Sequence, residues 1–226
     1  MPPQHLKVFP WTVYRTLRRA IDGEYDGASE AEKQCVLEHM VRTSSSAASV
    51  IALEPIPFVD SAIIAPIHRG LIRGTGRIRT RHVDDGAAQH ILKALRPRFV
   101  AQHLTLAGSK FVPFFAGDLV AFSVAYAGTA TLGDLADRYF ASGHAMTADD
   151  IRKEFDVLYK RTFEVVYRQR RDEIKSLFRK TPDMRRQLDE LNRDVKGGRV
   201  DMSEAHRRTE QILNPQESPF EKPPRP

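Results

Sequence analysis

The chain has 226 residues, of which 41% are hydrophobic, and its formal net charge is +6 at pH 7. This composition is globular and sufficient for a real core, and the single cysteine excludes an internal disulfide bond. The positive charge favours an acidic partner, such as anionic lipid, nucleic acid or an acidic protein face. The N-terminus lacks the pattern of a secretory signal, so we expect the chain to stay inside the cell.

The first predicted elements are three helices. An amphipathic helix is expected from Pro10 to Ile21, within an N-terminal segment 1–27. Ser29 and Glu32 form a capping box for a long helix. This helix places Cys35 at a position where a buried thiol is the default, and it ends before two prolines. A third helix is expected over about 58–79, with a glycine-rich tail that should fray.

The elements that follow are also helical. Asp84 or Asp85 is predicted to cap a short helix through Leu95, which Pro97 ends or redirects. A return helix over about 114–142 should finish at Gly143. Thr147 and Asp150 form another capping pair, which opens a long charged helix. The proline-rich segment 214–226 is predicted to be disordered.

An apolar run, a proline, an aspartate and a second apolar run occur in that order twice, at 46–74 and at 104–133. Such spacing is typical of a repeated supersecondary unit. The fold prediction is therefore an all-α helical bundle of two related αα-hairpins, with a core over 28–146 and a charged helical arm over 147–213. The predicted hairpin corners are Pro55, Pro57, Asp60, Pro113 and Asp118.

Small residues recur every four positions on the second return helix, which indicates one face that a neighbouring backbone can approach closely. These helix-packing residues are Gly117, Ala121, Ala125, Thr129 and Gly133. The row fits either a close helix crossing in a soluble core or a membrane-inserting hairpin, because the surrounding stretch carries only one charge, Asp118.

A basic cluster follows the first hairpin and comprises Arg69, Arg73, Arg77, Arg79 and Arg81. It is interpreted either as a contact with anionic lipid or an acidic partner, or as a solvated helix end. The basic residues of the arm, from Arg168 to Arg186, alternate with acidic ones, so nucleic-acid binding is not favoured.

Two groups of titratable residues are candidates for a catalytic or metal-binding site. The set His82, Asp84, Asp85 and His90 matches no metal-ligand spacing, and the two aspartates are better explained as helix-start residues. A second set, Asp134, Asp137 and His144, is interpreted as a surface face. With no nucleophile motif either, the sequence predicts no catalytic, cofactor-binding or metal-binding residues and hence no enzyme.

Two stretches carry a family resemblance: ALEPIPFVDSAIIAPIHRGLI at 52–72 and VPFFAGDLVAFSVAYAGTATLGDLADRYFASG at 112–143. Over 28–145 the chain resembles the YcjF-like, GTPase-associated bacterial domain of unknown function. The resemblance implies an all-α domain that is often membrane-associated and often joined to a GTPase domain. This chain has no G-x-x-x-x-G-K-[ST] loop, so any GTPase partner would be a separate protein.

These observations lead to one leading hypothesis and two alternatives. The leading one is a non-enzymatic adaptor or scaffold that binds a protein partner at the cytoplasmic face of a membrane. The alternatives are a membrane-inserting effector that perturbs a bilayer and a regulator of a separately encoded GTPase.

Overall fold

The computed structural model describes residues 4–53, 59–109 and 115–180, and beyond them positions 186–187, 190–191, 193–194, 197–200, 204 and 208. Within these residues the chain forms six α-helices and no β-strand, which confirms the all-α prediction. The helices are α1 (Gln4–Ile21), α2 (Glu30–Ala52), α3 (Val59–Thr80), α4 (Asp85–Ser109), α5 (Phe115–Ala141) and α6 (Ala148–Lys180). The predicted corners Pro55, Pro57 and Pro113 lie outside the described residues, as does the side chain of Asp60.

Local capping chemistry sets several helix ends where the sequence predicts them. The Ser29 hydroxyl accepts a hydrogen bond from the Glu32 amide, and the Glu32 carboxylate accepts one from the Ser29 amide at 2.8 Å, which completes the capping box of α2. Thr147 and Asp150 make the same pair of bonds, at 3.2 and 3.0 Å, before α6. At the start of α4, the Asp84 carboxylate accepts a hydrogen bond from the Ala87 amide at 2.8 Å.

The end of α5 has the hydrogen-bond pattern of a Schellman motif. The amide of His144 donates to the Tyr139 carbonyl and that of Gly143 to the Phe140 carbonyl, both at 3.1 Å. Gly143 has φ +65°, a left-handed conformation that glycine adopts without steric cost. The predicted stop at this glycine is confirmed.

Two predicted helix ends are wrong. Pro97 lies inside α4, which continues to Ser109. The proline is exposed on the solvent side, where water can satisfy the carbonyl that loses its partner, and side chains before and after it are packed in the interior. The glycine tail of α3 does not fray but stays helical to Thr80. Gly74 and Gly76 are buried there against Met40 and Phe140, so close packing offsets their low helix propensity.

Two further expectations at the N-terminal side are corrected. The helix predicted from Pro10 begins at Gln4. Cys35 is exposed, because the buried stripe of α2 runs through Leu37, Met40 and Ser44, and residue 35 faces away from it.

The chain divides into two compact units, Met1–Val112 with Ala116–Arg168, and Pro113–Phe115 with Gln169–Pro226. The first unit continues to Arg168, and the arm expected over 147–213 stays a prediction. The second unit contains the last part of α6 and short-range ion pairs such as that of Arg199 with Asp194, at 2.7 Å.

The first unit packs its helices around buried apolar clusters. One joins α1, α2 and α3 and contains Val13, Leu17, Ala20, Leu37, Met40, Ala47, Ala48, Ile51, Ile64, Ile67, Leu71 and Ile78. Another is formed by α3, α4, α5 and α6 together. It contains Ile72, Ala87, Ala88, Ile91, Ala94, Leu95, Leu132, Leu135, Ala136, Tyr139, Phe140, Ile151 and Phe155. The third, here called the distal cluster, contains Ala52, Leu106, Ala121, Val124 and Ala125.

These clusters define two ends of the first unit. The distal cluster brings together the last residues of α2 and α4 and the first turns of α5. We call this the distal end. The opposite end, here called the turn end, holds the turns between α1 and α2, α3 and α4, and α5 and α6, where ion pairs such as Arg77 with Asp26 are concentrated.

Candidate functional site

The small-residue row of α5 lies in the interior of the first unit. Gly117, Ala121, Ala125, Thr129 and Gly133 are all buried. A Cβ atom built on Gly133 would overlap a methyl group of Val41 on α2 and would lie 3.3 Å from Leu71 Cδ2 on α3. The row therefore allows α5 to lie close to α2 and α3.

A buried polar contact also lies on this row. Thr129 Oγ1 is 3.0 Å from His68 Nε2 on α3, and the His68 ring lies 4.9 Å from that of Phe99 on α4. The contact links α3, α4 and α5 inside the unit. Because a buried hydrogen bond that loses one partner costs more than the bond contributes, Thr129 helps to fix how these helices pack.

The predicted arginine cluster on α3 is largely engaged in internal ion pairs. Arg77 binds Asp26, with Nε to Oδ1 at 3.0 Å, and Arg73 Nε lies 3.1 Å from Asp85 Oδ1. Arg79 makes two hydrogen bonds to the Asp137 carboxylate, at 2.5 and 3.0 Å.

The exposure of the cluster follows from these pairs. The Arg79 side chain is only 19% exposed, whereas Arg69 and Arg81 are exposed to solvent. The arginines with internal partners fasten α3 to its neighbours at the turn end. Contact of the cluster with lipid or an acidic partner stays a prediction.

The two sets of titratable residues considered as metal or catalytic sites, one around Asp84 and one around Asp137, make separate contacts with different neighbours. Asp137 pairs with Arg79, and His144 Nε2 lies 3.5 Å from Asp84 Oδ2. His90 packs near the ring of Tyr139, with centroids 6.1 Å apart. Within the part of the chain that the structure describes, no group of three His, Cys, Asp or Glu residues could hold a metal ion.

Helix α6 is held to the bundle by a ladder of stacked aromatic rings. Phe155, Tyr159, Phe163 and Tyr167 follow one another at four-residue steps, with centroid distances of 5.8, 6.0 and 5.6 Å. Phe155 belongs to the cluster that joins α3 to α6, and Phe163 packs against the distal cluster. Burial raises the pKa of Tyr159 to about 12.

The opposite face of α6 is solvent-exposed and both basic and apolar. Val157 is 67% exposed and Val165 is 50% exposed. The exposed cations Arg161 and Arg168 lie on this side with the valines and Lys160 lies at its edge, and the exposed carboxylate of Glu164 lies among them. None of the three cations has an ion-pair partner among the described residues. We call the two valines and the three cations the α6 outer face.

Sequence reasoning missed the α6 outer face, although a signal was present. Val157 and Val165 are off the aromatic stripe of α6, so a helical wheel places them among charged residues on the solvent side. The exposed Val100 and Leu104 were also missed, because the helix that carries them was expected to stop at Pro97.

Comparisons with protein-family models, with curated proteins and with solved structures give no match for this chain. The resemblance to a YcjF-like domain therefore stays a prediction.

One described stretch, Gly117–Ala141, is long and apolar enough to cross a membrane. The fold buries 72% of its most apolar window, which is also what the core helix of a soluble protein shows.

Proposed function

We propose that the chain is a non-enzymatic helical scaffold that binds an acidic face of a protein partner at the cytoplasmic side of a membrane. The observation that carries the proposal is the α6 outer face, in which cations without ion-pair partners flank two exposed valines. Such a face offers an apolar anchor beside three cations and one carboxylate, Glu164, and its net positive charge attracts an acidic partner and orients it.

The proposal gives the two surfaces of α6 separate roles. The aromatic ladder holds α6 rigidly on the bundle, while the opposite surface stays accessible. A rigid helix loses little conformational entropy when a partner binds, so a few exposed anchors on it can support a specific interaction. In this proposal the ion-paired arginines at the turn end stabilise the packing of α3 against its neighbours and do not bind the partner.

Affinity capture from the native cell tests the protein-binding part of the proposal. The tagged chain is compared with a variant that carries Lys160→Glu and Arg161→Glu, and with a control that carries Arg15→Glu and Arg42→Glu, an equal charge change on α1 and α2. We expect one partner to be recovered with the wild type and the control and lost with the α6 variant. The same partner recovered equally with all three forms would refute a role for the α6 outer face.

Cell fractionation tests the membrane part. We expect the protein in the membrane fraction and its release by carbonate, as for a peripheral protein. Complete recovery in the soluble fraction would remove the membrane from the proposal and leave the partner interaction in place. Recovery of a nucleotide-binding protein in the capture experiment would favour the regulator of a separate GTPase.

A second candidate function is a membrane-inserting effector, which is favoured by the length and apolar character of Gly117–Ala141. This function requires the bundle to open, since most of that helix is buried. It predicts dye release from anionic liposomes and loss of release when Gly117 and Gly133 are replaced by Leu. Intact liposomes in the presence of folded wild-type protein would exclude it.

A further inference from the structure

An exposed apolar face lies on α4 near the distal end of the first unit. Leu104 is 69% exposed and Val100 is 52% exposed, and both values are high for large aliphatic side chains. Pro97 and Ala101 are exposed as well. The spacing of these four residues along an α-helix puts them on one side, over a rise of about 10 Å. We call them the α4 apolar face.

The surroundings of this face are apolar too. Leu104 lies two residues before Leu106, which belongs to the distal cluster together with Ala52. Leu53, which follows Ala52, is 39% exposed at the same end.

Two cations continue the same side of α4 away from the distal end. Arg96 lies about 6 Å and Lys93 about 10 Å along the helix axis from Val100. Both are exposed, and neither has an ion-pair partner within the described ranges. Along α4, the apolar residues Val100 and Leu104 are therefore nearest the distal end. The cations Arg96 and Lys93 lie one to two helical turns farther from that end.

This order matches a lipid surface. Interfacial helices place apolar side chains at the boundary between headgroups and acyl chains, while Lys and Arg stay at the level of anionic headgroups. Asp118, which is exposed in the first turn of α5 at the same end, limits the depth, because a carboxylate is costly in hydrocarbon. A second copy docked on the same face would offer the two cations no carboxylate between residues 93 and 104.

From these observations we infer that the α4 apolar face docks on the headgroup boundary of an anionic bilayer, with Arg96 and Lys93 against the lipid headgroups. The inference deepens the membrane part of the proposed function and rests on it. It assigns lipid contact to the distal end and partner binding to the α6 outer face.

Flotation of the full-length protein with vesicles tests the inference. One set of vesicles contains phosphatidylcholine with phosphatidylglycerol, and the other contains phosphatidylcholine alone. Replacing Val100 and Leu104 by Asn is expected to lower the partition coefficient about tenfold on anionic vesicles. The matched control replaces Val157 and Val165 by Asn, which are equally exposed on α6, and should bind vesicles as the wild type does.

A charge variant separates the electrostatic contribution. Lys93→Gln with Arg96→Gln should weaken binding to anionic vesicles about 30-fold and leave binding to phosphatidylcholine vesicles unchanged. All substituted side chains are exposed, so circular dichroism and melting temperature should match the wild type in every variant.

Several outcomes would overturn the inference. These are wild-type binding by the α4 Asn variant, equal weakening by the α6 control, or a wild-type dimer that the α4 Asn variant converts to monomer without any vesicle binding. Failure of the partner interaction is recognised separately, since capture depends on the α6 variant and not on Val100 or Leu104.

Discussion

The contact of Gly133 with Val41 gives a stability prediction that can be tested in detail. Gly133 on α5 faces Val41 on α2, and an added Cβ would overlap a Val41 methyl group and lie 3.3 Å from Leu71 Cδ2. Val41 is β-branched, so its χ1 angle in a helix is largely fixed and the methyl group cannot easily rotate away. The clash must therefore be relieved by a shift of α5 relative to α2.

The size of the effect follows from two opposing terms. Inserting a methyl group into a packed contact costs about 1–3 kcal/mol. Replacing glycine by alanine inside a helix contributes about 1 kcal/mol in the favourable direction. Because Val41 is stiff, we place the cost near its upper limit and expect Gly133→Ala to lower the free energy of unfolding by about 2 kcal/mol.

Chemical denaturation followed by circular dichroism measures this change, and a second background tests its cause. In a Val41→Ala protein the overlapping methyl group is absent, so Gly133→Ala should become neutral or stabilising by up to about 1 kcal/mol. Gly27→Ala is the control, since no atom lies within 4 Å of a Cβ built there. An equal loss of stability in both backgrounds would refute the assigned contact.

Three further predictions concern charge, burial and capping. Arg79→Ala should lower the free energy of unfolding by about 1–3 kcal/mol, since it leaves a largely buried carboxylate without its partner, whereas Arg18→Ala, at a fully exposed ion pair, should change it little. Burial raises the pKa of Tyr159 to about 12 from an ordinary value of 10.0, so its contribution to stability is fully present below pH 10 and is lost as the pH rises towards 12. Tyr159→Phe should make this alkaline loss of stability shallower in unfolding curves and should remove a late-titrating phenol from the ultraviolet absorbance titration. Ser29→Ala should cost about 1 kcal/mol through loss of the cap of α2, and an unchanged thermal midpoint would show that the capping box contributes nothing.

The fold class and many helix ends could be predicted from the sequence because their signals are local. The capping box at Ser29, the pair at Thr147 and the left-handed glycine at 143 each act within a few residues of their own position. Such signals do not depend on which helices become neighbours. The predicted helix end at Pro97 is wrong because it depends on packing with other helices. Packing on both sides of a proline can outweigh the hydrogen bond that the proline removes.

The candidate surfaces could be predicted only in part. The sequence shows five arginines near the end of α3, but their exposure depends on carboxylates 51 and 58 positions away along the chain, at Asp26 and Asp137. Similarly, four-residue spacing identifies the row of small residues on α5. It does not predict that Val41 of α2 packs against this row. Long-range pairing is set by the packing of whole helices, and periodicity within one helix does not encode it.

The internal charge pairing decides where an external partner can act. The formal charge of +6 suggests that any basic stretch could bind an anionic surface, yet an arginine already paired with a carboxylate must give up that bond before it contributes to binding. At the turn end, Arg73, Arg77 and Arg79 have such partners. The cations without ion-pair partners on α6 and α4 carry no such cost, and each group lies beside exposed aliphatic side chains. Binding is therefore expected on these two faces, and because they lie on different helices, substitutions on one should leave the other unaffected.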